Sequence, residues 1–483
     1  MTSLALAALL AGLDTIVVGT LADPMTLDPH RATDLVSSAL VATVCEPLVR
    51  MRADGSRAEA ALATTWATAD SRRWTFTLRS GVRFHDGAPF DASAVVKNFE
   101  HLRRARGFPG EAERLGPLSV MIVLERPNAA LLATLSQPFF SMQSPEALAH
   151  EAIPVGTGAF RFESQRHGEI ELLANPQHWG GPPRVRRVVF RRVANEEALV
   201  QGLRQGQIDV TAALSQDRVS EVRESAELTL DSKTGLNLVF LSVNNERSPL
   251  KDRRVRQALA RAVDRQALVR DVLAGHAEPA RNPLPPSLPG YLASVPELRK
   301  DRSAVRSLLR DAGLPNGLDL SLLAFDAPRP YLPHPMRAIE MLRDDLQAAD
   351  IRVQLVPVGS FAEYIGRMTS GDYELAVIGW QADSPDPNDF LAALLGSESI
   401  GATNRSRYRR AEMDALLKRG RMLAGPQERA AVYREAQVLF QREMPFVPLY
   451  HVSVFTAYSR KLHGLQVGAT GLLSFDKAWK AEK

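Results

Sequence analysis

The sequence predicts an α/β protein of more than one domain, and three observations carry that expectation. Between Leu318 and Phe390 the apolar residues switch repeatedly between strand and helix periods. The order is strand (Leu318 to Phe325), helix (Met336 to Ala348), strand (Ile351 to Val358), helix (Phe361 to Thr369), strand (Glu374 to Trp380). Such alternation implies parallel strands joined by helical crossovers. A second strand–helix–strand unit runs through Arg186 to Val193, Glu196 to Gln205 and Ile208 to Ala212. The 483 residues also exceed what a single hydrophobic core usually holds.

Composition narrows the function classes only a little. With 45% hydrophobic and 24% charged residues the chain is ordinary for a globular protein, and its 59 basic residues are nearly offset by 55 acidic ones. The densest basic run, Arg184 to Arg192, interleaves arginine with Val185, Val188, Val189 and Phe190. That is the pattern of a half-buried strand, and it lacks the aromatic platforms of a nucleic-acid surface, so no nucleic-acid partner is expected. Cys45 is the single cysteine, which rules out an intramolecular disulfide. Leu4 to Leu10 has the apolar character of a secretory h-region without a basic n-region. Residues 1–13 are therefore expected to be a truncated signal segment ahead of a mature start near Asp14, the alternative being an ordinary buried N-terminus. No run is long enough to span a bilayer, so no membrane span is expected.

Taken in order, Thr15 to Gly19 reads as a strand that delivers a loop containing Asp23, Pro24, Asp28 and Pro29, followed by a helical stretch from Leu35 to Val44. Trp74 to Leu78 and Val82 to Phe84 read as strands set between the turns Ser80-Gly81 and Asp86-Gly87. Asp91 caps a helix whose Ala94, Val95, Phe99 and Leu102 recur at helical spacing. These elements predict a small antiparallel subdomain. Gly156 and Gly158 precede a strand where the backbone must turn tightly or approach another segment closely; no lysine follows to make a phosphate cradle. Leu236 to Val243 is apolar enough for burial on both faces and is expected to pass between lobes. Asp252 to Leu273, Ser303 to Ala312, Ala411 to Leu423 and Gln427 to Glu443 read as amphipathic helices, and Pro448 to Tyr458 as a returning strand.

Two charged residues stand where an open parallel sheet binds its ligand, beyond the carboxyl ends of the strands. Arg329 follows the first strand of the 318–390 stretch and Asp383 follows the last. Read alone, Arg329 could equally be a surface loop residue and Asp383 a turn residue. Asp383, Asp386 and Asp389 lack the glycine and terminal glutamate of a calcium loop, and Pro385 and Pro387 favour a turn and a helix cap. The ten histidines contain no pair at helical ligand spacing, so no metal site is expected. No Gly-x-Ser-x-Gly elbow is present; the chain is expected not to be an enzyme, with a peptide hydrolase as the alternative from a different class. Trp380 and Tyr331 could stack on a ligand or close a core.

Three motifs, Trp74-Thr75-Phe76-Thr77-Leu78-Arg79 with Phe84-His85-Asp86-Gly87, Pro154-Val155-Gly156-Thr157-Gly158, and Val255-Arg256-Gln257-Ala258-Leu259, resemble a known family in content and order. They are similar to the periplasmic solute-binding proteins, family 5, which deliver peptides, nickel complexes and related solutes to ABC importers. The resemblance runs from about Asp14 to the C-terminus. Arg329-Pro330-Tyr331 with Pro333, Gly379-Trp380, and Asp383 in Asp383-Ser384-Pro385-Asp386-Pro387 look most like the dipeptide-binding branch. The resemblance implies a two-lobed periplasmic-binding-protein fold, type II in its large cluster C form, with an extra antiparallel subdomain on lobe 1. The implied boundaries are lobe 1 over 14–55, 155–240 and 451–483, the extra subdomain over 56–154, and lobe 2 over 241–450. It further implies a periplasmic monomer that needs no cofactor, captures a short peptide between its lobes and hands it to a membrane permease. Arg329 would pair with the peptide carboxylate and Asp383 with its amine. Trp380 and Tyr331 would line the site, and Ala22, Asp23 and Met25 would face it from lobe 1. A binder of a nickel or other metal chelate, haem or an opine-like solute is the alternative on the same fold. The arginine used by the nickel branch has no counterpart in Gln137-Pro138-Phe139-Phe140.

Overall fold

The structure, a computed structural model, describes residues 14–150, 153–468 and 470–481; the expected signal segment, residues 1–13, lies outside the described residues. The chain divides into two compact units. One comprises the residues up to Lys233 together with Val454 onward, and the other comprises Thr234–Ser453.

In the first unit the elements used below are β1 (Thr15–Thr20), α1 (Leu35–Val44), β2 (Ala63–Thr68), β3 (Arg73–Leu78), α2 (Ala92–Arg106), β4 (Gly110–Gly116), β5 (Ser119–Leu124), β6 (Phe160–Arg166), β7 (Glu169–Ala174), β8 (Arg187–Arg192), α3 (Glu196–Arg204) and β9 (Val210–Thr211). β1 lies between β8 and β9 and is parallel to both, with Val18 opposite Phe190 and Val210. The basic run is thus a sheet strand: Val188, Val189 and Phe190 are buried, while Arg187 and Arg191 pair with Glu171 and Glu169 on antiparallel β7. The small subdomain is an antiparallel sheet in the order β2-β3-β5-β4. Alternation along β3 buries Trp74, Phe76 and Leu78 against Phe99 of α2. The Asp91 carboxylate caps α2 by accepting from Ser93 N (2.8 Å) and Ala94 N (3.0 Å).

One local expectation needs correction and another is met. Val82 to Phe84 is not a strand. Phe84 N donates to Ala88 O and Phe90 N to Val82 O, so the Asp86-Gly87 turn folds this segment onto itself before a ladder can form. Gly156 and Gly158 mark a close approach, because an added Cβ would lie 2.3 Å and 2.6 Å from the Val44 carbonyl oxygen at the end of α1.

The second unit contains β10 (Asn237–Val243), α4 (Arg253–Ala262), α5 (Arg265–Val272), α6 (Arg302–Asp311), β11 (Leu318–Ala324), α7 (Pro335–Gln347), β12 (Ile351–Pro357), α8 (Phe361–Ser370), β13 (Leu375–Gln381), α9 (Pro387–Leu395), α10 (Ala411–Met422) and α11 (Pro426–Glu443). A long strand, β14 (Phe446–Ser459), then carries the chain out of it. The sheet order is β12-β11-β13-β10-β14. β11 is parallel to both β12 and β13, as the alternating periods require, and β10 runs antiparallel to β13. Every residue of β10 is buried. The chain enters this unit at Thr234, just ahead of β10.

Asp252 to Leu273 forms two helices where the sequence reads as one. The break falls at Val263, after which the Asp264 carboxylate caps α5 by accepting from Ala267 N. Arg256, from the Val-Arg-Gln-Ala-Leu motif, is buried and donates to the carbonyls of Leu250, Lys251, Glu443 and Met444. It therefore satisfies the end of α11, where Met444 takes the left-handed conformation at φ 42°. Arg256→Leu leaves those carbonyls without a donor and should cost about 3 kcal/mol or more in chemical denaturation. A loss below about 1 kcal/mol would remove Arg256 from this role.

Candidate functional site

β11 ends at Ala324, and the chain beyond it doubles back at Arg329. Arg329 N donates to Leu332 O and Leu332 N returns a bond to Arg329 O, at 3.0 and 2.9 Å, with Pro330 and Tyr331 at the tip. Pro330 presets its own φ for such a turn. The Tyr331 ring lies directly on Gly379 of β13. A Cβ at that glycine would come within 2.4 Å of Tyr331 Cδ2, so the missing side chain is what lets the hairpin settle on the strand. Desolvation lifts the Tyr331 hydroxyl above the usual tyrosine range, opposed by the Arg329 charge and the Gly379 backbone.

The Arg329 guanidinium stands over the Phe361 ring, 3.8 Å from its centroid, with the Phe325 ring 5.8 Å away. No carboxylate pairs with Arg329 among the described residues, and its buried Nε has no hydrogen-bond partner. Phe361 opens α8. Ser360 caps that helix, and Tyr364 fixes it to β13 by donating its hydroxyl to Val377 O at 2.8 Å. Phe325, Arg329, Tyr331, Phe361, Tyr364 and Ile378 line one small pocket, and Arg329 is the charged member among its described lining residues.

Asp383 follows β13 in a loop that is pinned on both sides. Before it, Ala382 N donates to Leu236 O. After it, Ser384 donates through N (3.1 Å) and Oγ (2.5 Å) to Asp389 Oδ2, and Asp386 caps α9 while receiving a bidentate pair from Arg429 at 2.7 and 2.8 Å. Trp380 is half-buried and donates its indole N–H to Asp389 O. Asp383 itself has no ion pair or side-chain hydrogen bond among the described residues. Though exposed, it is desolvated enough by the surrounding protein to lift its carboxyl above the ordinary aspartate range.

β11 and β13 are parallel neighbours, with Leu322 opposite Leu375, so Arg329 and Asp383 belong to the same edge of one sheet. The Tyr331 contact sets the Arg329 hairpin level with Gly379, and Asp383 lies four residues further, at most about 13 Å of extended chain. Ala22, Asp23 and Met25 belong to the first unit, in the loop after β1. There Asp23 pairs with Arg192 at 3.1 Å, and Met25 is 83% exposed. The sequence reading missed Phe361 and Asp389. Phe361 is separated from Arg329 by a whole crossover, and Asp389 was visible only as a turn acid. The one signal for Phe361 was an aromatic residue immediately after a serine cap.

The fold is that of the two-lobed, type II periplasmic binding proteins. The structure of HbpA2 from Haemophilus parasuis is matched with a TM-score of 0.92 at 26% identity, covering 97% of this chain and 100% of that one. The family model for bacterial extracellular solute-binding proteins, family 5 (middle region), matches residues 57–402, and the chain belongs to that family. It is 30% identical over 458 residues to Heme-binding protein A of Haemophilus influenzae, covering 86% of this chain and 83% of that protein. It is 28% identical over 456 residues to the dipeptide-binding protein of Escherichia coli, covering 86% and 85%. Among the described residues no helix is long and apolar enough to cross a membrane.

Two predictions follow from the packing around the pair. Gly379→Ala should cost about 1 to 3 kcal/mol through overpacking, and Tyr331→Ala in the same chain should relieve most of it. Additive losses in a thermal-unfolding cycle would show that the two do not touch. Burial pushes the Asp389 carboxyl up to about 6 against the Ser384 hydrogen bond, with the Asp386 and Asp383 charges adding to the rise. A raised carboxyl pKa favours the folded state fully below the ordinary aspartate range, and that advantage is lost as pH rises through the folded value. Asp389→Asn should therefore gain stability relative to the wild type between about pH 4 and pH 7. A Tm difference independent of pH over that window would contradict the assignment.

Proposed function

We propose that the chain is the extracytoplasmic solute-binding component of an ABC importer and that it captures a short peptide, foremost a dipeptide, for a membrane permease. The observation that carries this reading is a pair of opposite charges, each without a counter-charge among the described residues, at the carboxyl ends of two parallel strands. The Arg329 fork suits the peptide carboxylate and Asp383 the α-ammonium. An extended dipeptide spans only about 7 Å between its ends, so anchors at fixed positions act as a length gauge that leaves the side chains unread. Membership of a family of extracellular solute-binding proteins and the likeness to the Escherichia coli dipeptide-binding protein support the assignment and a periplasmic location. Tyr331 and Trp380 bound the site beside their respective anchors. Binding requires no chemistry on the solute and no cofactor, and the protein acts as a monomer.

A second reading is favoured by one observation, the 30% identity to Heme-binding protein A. A porphyrin would present carboxylates to Arg329 and an apolar face to Phe361, but it would give Asp383 no cation to hold. Calorimetry separates the two. Arg329→Ala and Asp383→Ala should each weaken dipeptide binding by about 2 to 4 kcal/mol, because each strands a charge on the bound solute. N-acetylation of the dipeptide should abolish tight binding. Equal affinity for acetylated and free peptides would remove Asp383 from the amine role.

A further inference from the structure

Phe361 is a poor fit to a burial-driven explanation. It is a large apolar side chain at the first position of α8, 38% exposed, in a unit where the phenylalanines at 240, 390, 440 and 446 are 0 to 1% exposed and Phe325 is partly buried. Its ring face is covered by the Arg329 guanidinium at 3.8 Å, the shortest cation–aromatic approach among the described residues. The ring itself is braced. Phe325 lies 5.9 Å from Phe361 and 5.7 Å from Tyr364, and the Tyr364 hydroxyl ties the same helical turn to β13.

An arginine that must receive a carboxylate can be held in two ways. A protein carboxylate would fix it well but would occupy the N–H edge and cancel the charge the solute needs. An aromatic face attracts the cation through the ring quadrupole and touches only the plane of the guanidinium. The N–H groups lie in that plane and stay available. Arg329 has the second arrangement, with its guanidinium carbon over the Phe361 ring, a buried Nε lacking a partner and no paired acid among the described residues.

Resting on the peptide-binding reading, we propose that Phe361 is the positioning residue of the carboxylate anchor. Its ring replaces a counter-ion and holds the Arg329 guanidinium in place and open for a solute carboxylate attached to an apolar body. Phe361 acts through Arg329 and makes no demand on the amine end of the solute. Phe325 and Tyr364 act one step further back by fixing the ring.

The test uses the full chain titrated with Ala-Leu and with its C-terminal amide, for the wild type, Phe361→Leu and Phe361→Tyr. Phe361→Leu keeps apolar bulk but loses the π face. It should weaken Ala-Leu about tenfold and leave the amide within about twofold, while Phe361→Tyr should restore Ala-Leu binding. Equal affinity of Phe361→Leu and wild type for Ala-Leu, or a parallel loss for Ala-Leu and its amide, would overturn the proposal. NMR of the solute-free protein with labelled arginine gives a second readout. The Arg329 side-chain resonances, assigned by their absence in Arg329→Lys, should be ring-current shifted in the wild type and unshifted in Phe361→Leu; unshifted resonances in the wild type would also overturn it. If the wild type takes no dipeptide at all, the peptide reading fails, and the NMR comparison still decides whether Phe361 holds Arg329.

Discussion

A guanidinium held in place without a counter-charge among the described residues is the constraint on which the second unit's proposed site depends. The Arg329 guanidinium lies over the Phe361 ring, and that ring sits where it does because α8 is capped by Ser360 and tied to β13 through Tyr364. The hairpin that presents Arg329 settles on β13 only because position 379 has no side chain. The parallel pairing of β11 with β13 then brings the Asp383 loop to the same edge. Sheet order, helix cap, glycine and aromatic shelf all act on one cation.

Other buried arginines in the same unit show the contrasting solution. Arg256 and Arg265 give most of their donors to backbone carbonyls, although the buried Arg265 Nη2 has no partner, and burial lowers Arg265 to about 9. Arg429 is locked bidentately to Asp386. Each fixes structure and has little left to offer a solute. The same contrast separates the acids of the 383–389 segment. Asp386 caps and pairs, Asp389 holds Ser384 and the Trp380 indole, and Asp383, ahead of both, has no ion pair or side-chain hydrogen bond among the described residues.

The fold of this region was legible because its apolar periods are long and consistent. The five elements expected between Leu318 and Trp380 appear within a residue or so of their expected ends. Short-range signals were less secure. Val82 to Phe84 has a strand's composition but too little chain between two turns to form a ladder, and Val263 interrupts a helical pattern that apolar spacing alone carries through. Arg329 and Asp383 could be singled out as charges at strand ends, and the family resemblance supplied their carboxylate and amine roles. Phe361 could not be found that way. In sequence it is one more apolar residue of an amphipathic helix, and only the folded chain places its ring under a cation thirty-two positions earlier. Asp389 likewise resembled a turn acid until the Ser384 and Trp380 bonds placed it beside the proposed amine anchor.

The central claim is that one solute supplies both missing counter-charges. Mass spectrometry of the small molecules released when the purified protein is denatured tests this most directly. The account predicts a short peptide with free amino and carboxyl ends, present at close to one per chain. A released solute lacking either end, such as a porphyrin or a metal chelate without an ammonium group, would contradict it.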